Sequence, residues 1–244
     1  FTEWFWPKDE RRQKEVTRAL QDNLSFQGIS RIVLFCEVEE GLPFTHHEKV
    51  QLVFNGRLRP TFNELFDFAE RAYSGETVAI ANNDISFAEW KEGFPIEENE
   101  VLCVTRHEYR DGSVMWFDDF RSGIYSHPNH CWSQDAWIFR SPKKLKGGHH
   151  HMGEPGCDGR LAWLLLRSGF QLRNPGKALT LLHYHDSLVR GYSDKWKLPT
   201  PYAHVGSGLH SEVTVVFRPF GRHPASNWRY AAFWRWDVLR SLLA

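Results

Sequence analysis

The stretch Val78-Ala79-Ile80-Ala81-Asn82-Asn83-Asp84 decides how this chain is read. Its first four residues form a short, continuous apolar run, as expected of a strand covered on both faces. The run stops at three residues whose short polar side chains hydrogen-bond nearby backbone and favour turns. Outward from it, Ile32-Val33-Leu34-Phe35-Cys36 and Val101-Leu102-Cys103-Val104-Thr105 are runs of the same kind, and residues 50–54 are expected to make a further buried strand.

Helical patterns lie between these runs. Residues 11–24 place Val16, Leu20 and Leu24 on one face, after Pro7, a residue tolerated in the first turn of a helix. Thr61 and Glu64 have the spacing of a capping box ahead of Leu65, Phe66, Phe68 and Ala69, and Gly75 closes that segment. Residues 158–168 make a third helix, with Leu161, Leu164 and Leu165 on one face and Gly169 after it.

Strands alternating with helices predict an α/β domain: a mostly parallel central sheet flanked by helices, Rossmann-like, whose ligands bind beyond the carboxyl ends of the strands. Asn82, Asn83, Asp84, Arg106 and His107 fall at that edge. Residues 108–156 read as long loops around one short element, Ser133-Gln134-Asp135-Ala136-Trp137-Ile138-Phe139. Strand pieces follow at Gln171-Leu172-Arg173 and Leu179-Thr180-Leu181-Leu182-His183. The chain divides into an α/β domain over residues 1–192 and an aromatic-rich extension over residues 193–244 packed on it, with a terminal helix expected over residues 228–243.

Composition narrows the function. A chain of 244 residues suits one domain of this kind. Its 30 Lys+Arg balance 30 Asp+Glu, so no overall field draws nucleic acid or an acidic membrane, and recognition must be local. No apolar run approaches the roughly 20 residues of a membrane-spanning helix. Cys36, Cys103, Cys131 and Cys157 lack paired spacing, which predicts reduced thiols and a cytoplasmic setting. Starting at Phe1 in a strand-like string, the chain reads as part of something longer, which would carry any membrane association. With 11 tryptophans, aromatic faces are available for a sugar or base; for Trp4, Trp6 and Trp116, core packing competes with that role.

Several residues can carry chemistry. A polar triplet ending in Asp84 after a buried strand offers hard oxygen ligands to a divalent cation on a diphosphate, although the same triplet is also ordinary turn chemistry. Asp158, at a helix start, either caps the helix or faces a ligand. His183-Tyr184-His185 alternates, so both imidazoles share a face and can bind metal or phosphate. His127, His130, Cys131, His149, His150, His151 and Cys157 form a loop dense in zinc-type ligands, without a zinc spacing, and leave a zinc hydrolase as a minor alternative. Neither a dinucleotide fingerprint nor a triphosphate-binding glycine loop follows any strand, and no serine sits in a nucleophile elbow.

Taken in order, Arg11-Arg12-Gln13-Lys14-Glu15, Arg59-Pro60-Thr61, Ala79-Ile80-Ala81-Asn82-Asn83-Asp84-Ile85, Thr105-Arg106, the string from Ser133 to Phe139 and Pro155-Gly156-Cys157-Asp158-Gly159-Arg160-Leu161-Ala162 resemble A-type-fold nucleotide-diphospho-sugar transferases, a poorly characterised bacterial, viral and plant subgroup. The likeness runs over residues 1–192. It implies a glycosyltransferase of polysaccharide biosynthesis, moving a sugar from a nucleotide-diphosphate donor to a hydroxyl of a glycan or other acceptor. Asn82-x-Asp84 would stand where the family carries Asp-x-Asp, with an amide in place of the first carboxylate and hence less charge on a manganese or magnesium ion. Cys157-Asp158 resembles the family's Glu-Asp pair and makes Asp158 the general base of an inverting transfer. The resemblance further implies Asn82, Asn83, Asp84, Arg106, Trp4 and Lys8 on the donor, Asp135, Trp137 and Arg160 on the acceptor, and Asp84, His183 and His185 on the metal. Arg106, Lys8 or Arg190 would offset charge on the departing diphosphate. A catalytically inactive sugar- or nucleotide-binding module of the same fold is the alternative that Asn82 suggests.

Overall fold

The computed structural model describes residues 1–37, 42, 44–56, 59–91, 95–115, 133–187, 189, 198–207, 213–217 and 232–236. Three parallel strands, β1 (Thr2–Trp4), β2 (Ile32–Cys36) and β3 (Val50–Phe54), lie in that order. Four more, β4 (Thr77–Ala81), β6 (Glu100–Val104), β9 (Ala136–Arg140) and β10 (Gln171–Arg173), lie in the order β10-β6-β9-β4. Phe1 connects the two groups: its nitrogen donates to the Ala79 carbonyl at 2.6 Å and its carbonyl accepts from the Ala81 amide at 3.0 Å, the pattern of a parallel pair. β9 runs antiparallel to both β4 and β6.

A second sheet contains β5 (Ile85–Trp90), β7 (His107–Arg110), β8 (Ser113–Met115) and β11 (Leu179–Tyr184), ordered β5-β11-β7-β8. β11 is antiparallel to β5 and parallel to β7. A third, antiparallel sheet joins β12 (Tyr202–Val205), β13 (Val213–Phe217) and β14 (Ala232–Arg235).

The fold is therefore α/β with mixed sheets, and the expectation of a mostly parallel sheet is corrected by the reversal of β9. Local sequence carries no mark of strand direction: Ala136 to Phe139 is as apolar as the neighbouring runs of β4 and β6 because it too is covered on both faces. Three strands that the sequence reading did not name complete the second sheet: β5, and the β7–β8 hairpin, which falls almost wholly in the segment read as loop. Asp111 and Gly112 turn that hairpin at φ 48° and 81°, the two-residue Asp-Gly turn whose positive φ suits strand twist. Residues 50–54 are half-buried rather than fully covered, because β3 lies at the end of its group of strands. Residues 232–235 are a strand, not part of the terminal helix expected there; the other residues of that expectation, apart from Trp236, lie outside the described residues.

Side-chain alternation along the strands dictates what covers each face. Ile32, Leu34, Cys36 and Trp4 meet Val16, Leu20 and Leu24 of helix α1 (Glu10–Ser25). Each of those aliphatic side chains contributes about 1.5–3 kcal/mol by burial. Asp9 rather than Pro7 opens α1, its carboxylate accepting from the Arg11 and Arg12 amides at 2.9 and 3.2 Å. Val33, Phe35, Ile80, Val101 and Cys103 point the other way, onto helices α2 (Phe62–Ala72) and α3 (Cys157–Arg167). The Thr61–Glu64 capping box that starts α2 is formed as the sequence predicts. Leu102, Val104, Ala136 and Ile138 face Ile85, Phe87, Leu179 and Leu181, so the second sheet closes over β6 and β9. Ala203, Val205 and Val215 join the core around α3.

Candidate metal and substrate site

β4 ends at Ala81, and the turn Asn82-Asn83-Asp84 is closed by a hydrogen bond from the Ile85 amide to the Asn82 carbonyl at 3.2 Å. The antiparallel register of β11 on β5 sets His183 opposite Ile85, beside Asp84. His183 Nε2 lies 3.1 Å from Asp84 Oδ2. Arg12, in the first turns of α1, ion-pairs with the same carboxylate oxygen. Its Nη1 also donates to Glu15 Oε2 and to the Tyr184 carbonyl, both at 2.9 Å.

A line of charges continues from there. His183 Nδ1 lies 2.8 Å from Glu108 Oε2. Glu108 Oε1 accepts from Arg106 Nε at 2.9 Å, and Arg106 Nη1 donates to Asp135 Oδ1 at 2.8 Å and Ser133 Oγ at 2.5 Å. Because β9 is reversed, the residues that precede it share an edge with the carboxyl ends of β4 and β6. The Asp135 amide thus reaches the Val104 carbonyl at 2.8 Å, and the Asn82 amide the Asp135 carbonyl at 3.2 Å. The neighbouring Gln134 amide faces Asp158 Oδ2 at 3.5 Å. Asp84 and Asp158, 74 positions apart, therefore stand at one rim.

The electrostatics follow from burial opposed by partners. Burial by itself raises the Asp84 carboxyl, but the His183 ring and Arg12 guanidinium outweigh it and hold it well below the usual carboxylate range. Glu108 is likewise raised by burial, yet His183 and Arg106 bring it down to about 2. His183 is lowered by burial and by Arg106, and the two carboxylates more than reverse this, raising it above its ordinary value. Burial, Arg12 and His183 push His185 down to about 4. Glu3 of β1 is pushed up to about 7 by burial, against the nearby Arg59.

Asp84, His183 and His185 present one ligand atom each within 4.8 Å of one another, so the cluster could hold a metal ion. The two rings stack at 5.2 Å between centroids, and neither His185 nitrogen has a hydrogen-bond partner although both are buried. Orphaned imidazole nitrogens beside a carboxylate fit a cation. Among the described residues no second such cluster occurs, and His149, His150, His151 and Cys157 do not form one. Burial raises the Cys157 thiol well above its ordinary value, which opposes the thiolate that zinc needs. His127, His130, Cys131, Trp116 and Arg190 lie outside the described residues.

Other expected site residues separate. Asp158 lies in the first turn of α3, whose cap residue is Gly156 at φ 84°. Trp4 and Trp137 are 1% and 0% exposed; one fills the core under α1 and the other sits edge-on to Phe62, which corrects their placement on donor and acceptor. Trp6, 42% exposed and edge-on to Trp4, is the aromatic presented to solvent in that segment. Lys8 is exposed, Arg160 Nη1 donates to the Pro201 carbonyl at 3.4 Å, and Arg106 and Asp135 are paired with each other. Three members of the site escaped the sequence reading: Arg12, Glu108 and Glu3. Only partners distant in the chain mark them out.

A surface cleft of about 480 Å³, lined by Glu97, Glu98, Lys143, Lys144 and Phe170 among others, lies where β6 and β10 begin, the opposite end from Asp84, and its charges balance. No helix among the described residues is long and apolar enough to cross a membrane. No protein-family model matches the chain, and no curated protein sequence does either.

Proposed function

We propose that the protein is a glycosyltransferase of the A-type fold, moving a sugar from a nucleotide-diphosphate donor to an acceptor hydroxyl with inversion. The observation that carries this reading is the meeting of Asp84 and Asp158 at one sheet rim, joined through His183, Glu108, Arg106 and the Asp135–Gln134 backbone. An α/β domain that brings a cation-binding carboxylate from a strand end and a base carboxylate from a helix start to one rim has the parts this transfer requires.

Asp158 takes the proton of the acceptor hydroxyl as that oxygen bonds to the anomeric carbon. The bond from that carbon to the diphosphate oxygen breaks, and its electron pair leaves with the nucleoside diphosphate. Attack from the face opposite the leaving group inverts the centre. Arg12 supplies fixed positive charge beside the diphosphate end of the site. Asp84, His183 and His185 would hold a divalent cation, which supplies Lewis-acid charge to the diphosphate. Of the two ions expected, manganese suits a set with two imidazoles better than magnesium.

A thermal-shift screen of nucleoside diphosphates with and without manganese tests the reading, followed by nucleotide-sugar turnover. A binding diphosphate at about 100 times its Kd should raise the midpoint on the order of 5–10 °C. No shift with any of them would remove the reading. The Arg12 pairing favours one second reading, a binding module without catalysis, because Asp84 is already neutralised. Diphosphate binding by calorimetry with no turnover of any nucleotide sugar would select it.

A further inference from the structure

We propose that Glu108 is a positioning residue for a metal at Asp84, His183 and His185, acting by fixing which nitrogen of His183 faces the ion. This inference rests on the metal reading of that cluster. β7 and β11 are parallel neighbours in which Glu108 and His183 are direct register partners, so their side chains rise from the same face. One oxygen of Glu108 is committed to Arg106 Nε at 2.9 Å, and Arg106 is itself anchored on Asp135 at 2.8 Å. That leaves the second oxygen aimed at His183 Nδ1, 2.8 Å away.

A carboxylate paired with a guanidinium accepts hydrogen bonds and donates none. Nδ1 of His183 must then carry a proton, and Nε2 is the nitrogen turned to Asp84 and His185. Metal-bound histidines are oriented in this way by an acceptor behind the ring, which also raises the basicity of the ligating nitrogen. Nothing else among the described residues hydrogen-bonds Nδ1. Replacing Glu108 by Gln keeps its volume but spoils one of its two contacts. If the amide NH2 faces Arg106, two donors collide; if it faces His183, Nδ1 must accept and the proton moves to Nε2, where it blocks the ion.

The experiment is titration of the full chain with Mn²⁺ alone, following free Mn²⁺ by electron paramagnetic resonance, for wild type, Glu108→Gln and His183→Ala. Glu108→Gln gives up part of a buried ion pair; titrated below its own unfolding midpoint, it should weaken Mn²⁺ binding by about 10- to 100-fold. Binding within twofold of wild type overturns the proposal while leaving sugar transfer standing. Wild type that binds no Mn²⁺ overturns it too, and removes the metal reading, without bearing on whether Asp158 acts as a base. Should Glu108→Gln not fold, nitrogen-15 spectra of the wild type loaded with diamagnetic Zn²⁺ decide: a proton on His183 Nδ1 supports the proposal, and a proton on Nε2 sinks it.

Discussion

Arg12 and His183, far apart in the sequence, converge on a single oxygen, Oδ2 of Asp84. Arg12 comes from the first turns of α1, and His183 from the last positions of β11. Asp84 is 8% exposed, so the cost of taking its charge out of water is offset by the Arg12 guanidinium and the His183 ring rather than by solvent. A divalent ion at the same carboxylate has to share it with Arg12.

This sharing makes the stability of an Arg12→Gln variant metal-dependent. Removing one partner of a buried pair costs about 3–5 kcal/mol, and at the 15% exposure of the Arg12 side chain the lower end is expected. Manganese should restore part of the loss by neutralising Asp84. Urea unfolding of the variant with and without manganese measures this; equal midpoints in both conditions would show that no ion reaches Asp84.

Asp158→Asn should separate binding from chemistry. The amide cannot take a proton, so transfer should fall by about 10²- to 10⁴-fold, the usual worth of a general base. Folding should be spared, since Asn keeps the size of the side chain and an oxygen that can accept from the Gln134 amide. Turnover near the wild-type rate, in a variant that binds nucleoside diphosphate normally, would disqualify Asp158 as the base.

Glu3 predicts a pH dependence of stability. Its pKa rises from 4.5 to about 7 on folding because it is buried, 3% exposed, so the fold favours its protonated form. The folded state binds this proton more tightly than the unfolded chain does. Stability from this group is therefore full below pH 4.5 and is lost as pH rises through about 7. The loss is on the order of 3 kcal/mol. Glu3→Gln should flatten that part of the profile and leave the variant more stable than wild type above pH 7. A variant profile parallel to wild type between pH 5 and 8 would count against it.

What the sequence determined by itself is local. The spacing of Val16, Leu20 and Leu24, the Thr61–Glu64 box and the apolar runs of β2 and β6 follow from periodicity and capping, which need no distant partner. Asp111-Gly112 is a hairpin-turn dipeptide that the reading of residues 108–156 as loop passed over. The triplet at 82–84 was visible as a polar stop after a strand. Tertiary structure alone decided the direction of β9, and with it the arrival of Asp135 and Asp158 at the same rim. It alone paired Glu108 with His183 across 75 positions and Arg12 with Asp84 across 72. The physical reason is that a strand's apolar pattern is the same in either direction, and an ionisable side chain shows its role only when folding brings a counter-charge within hydrogen-bond reach.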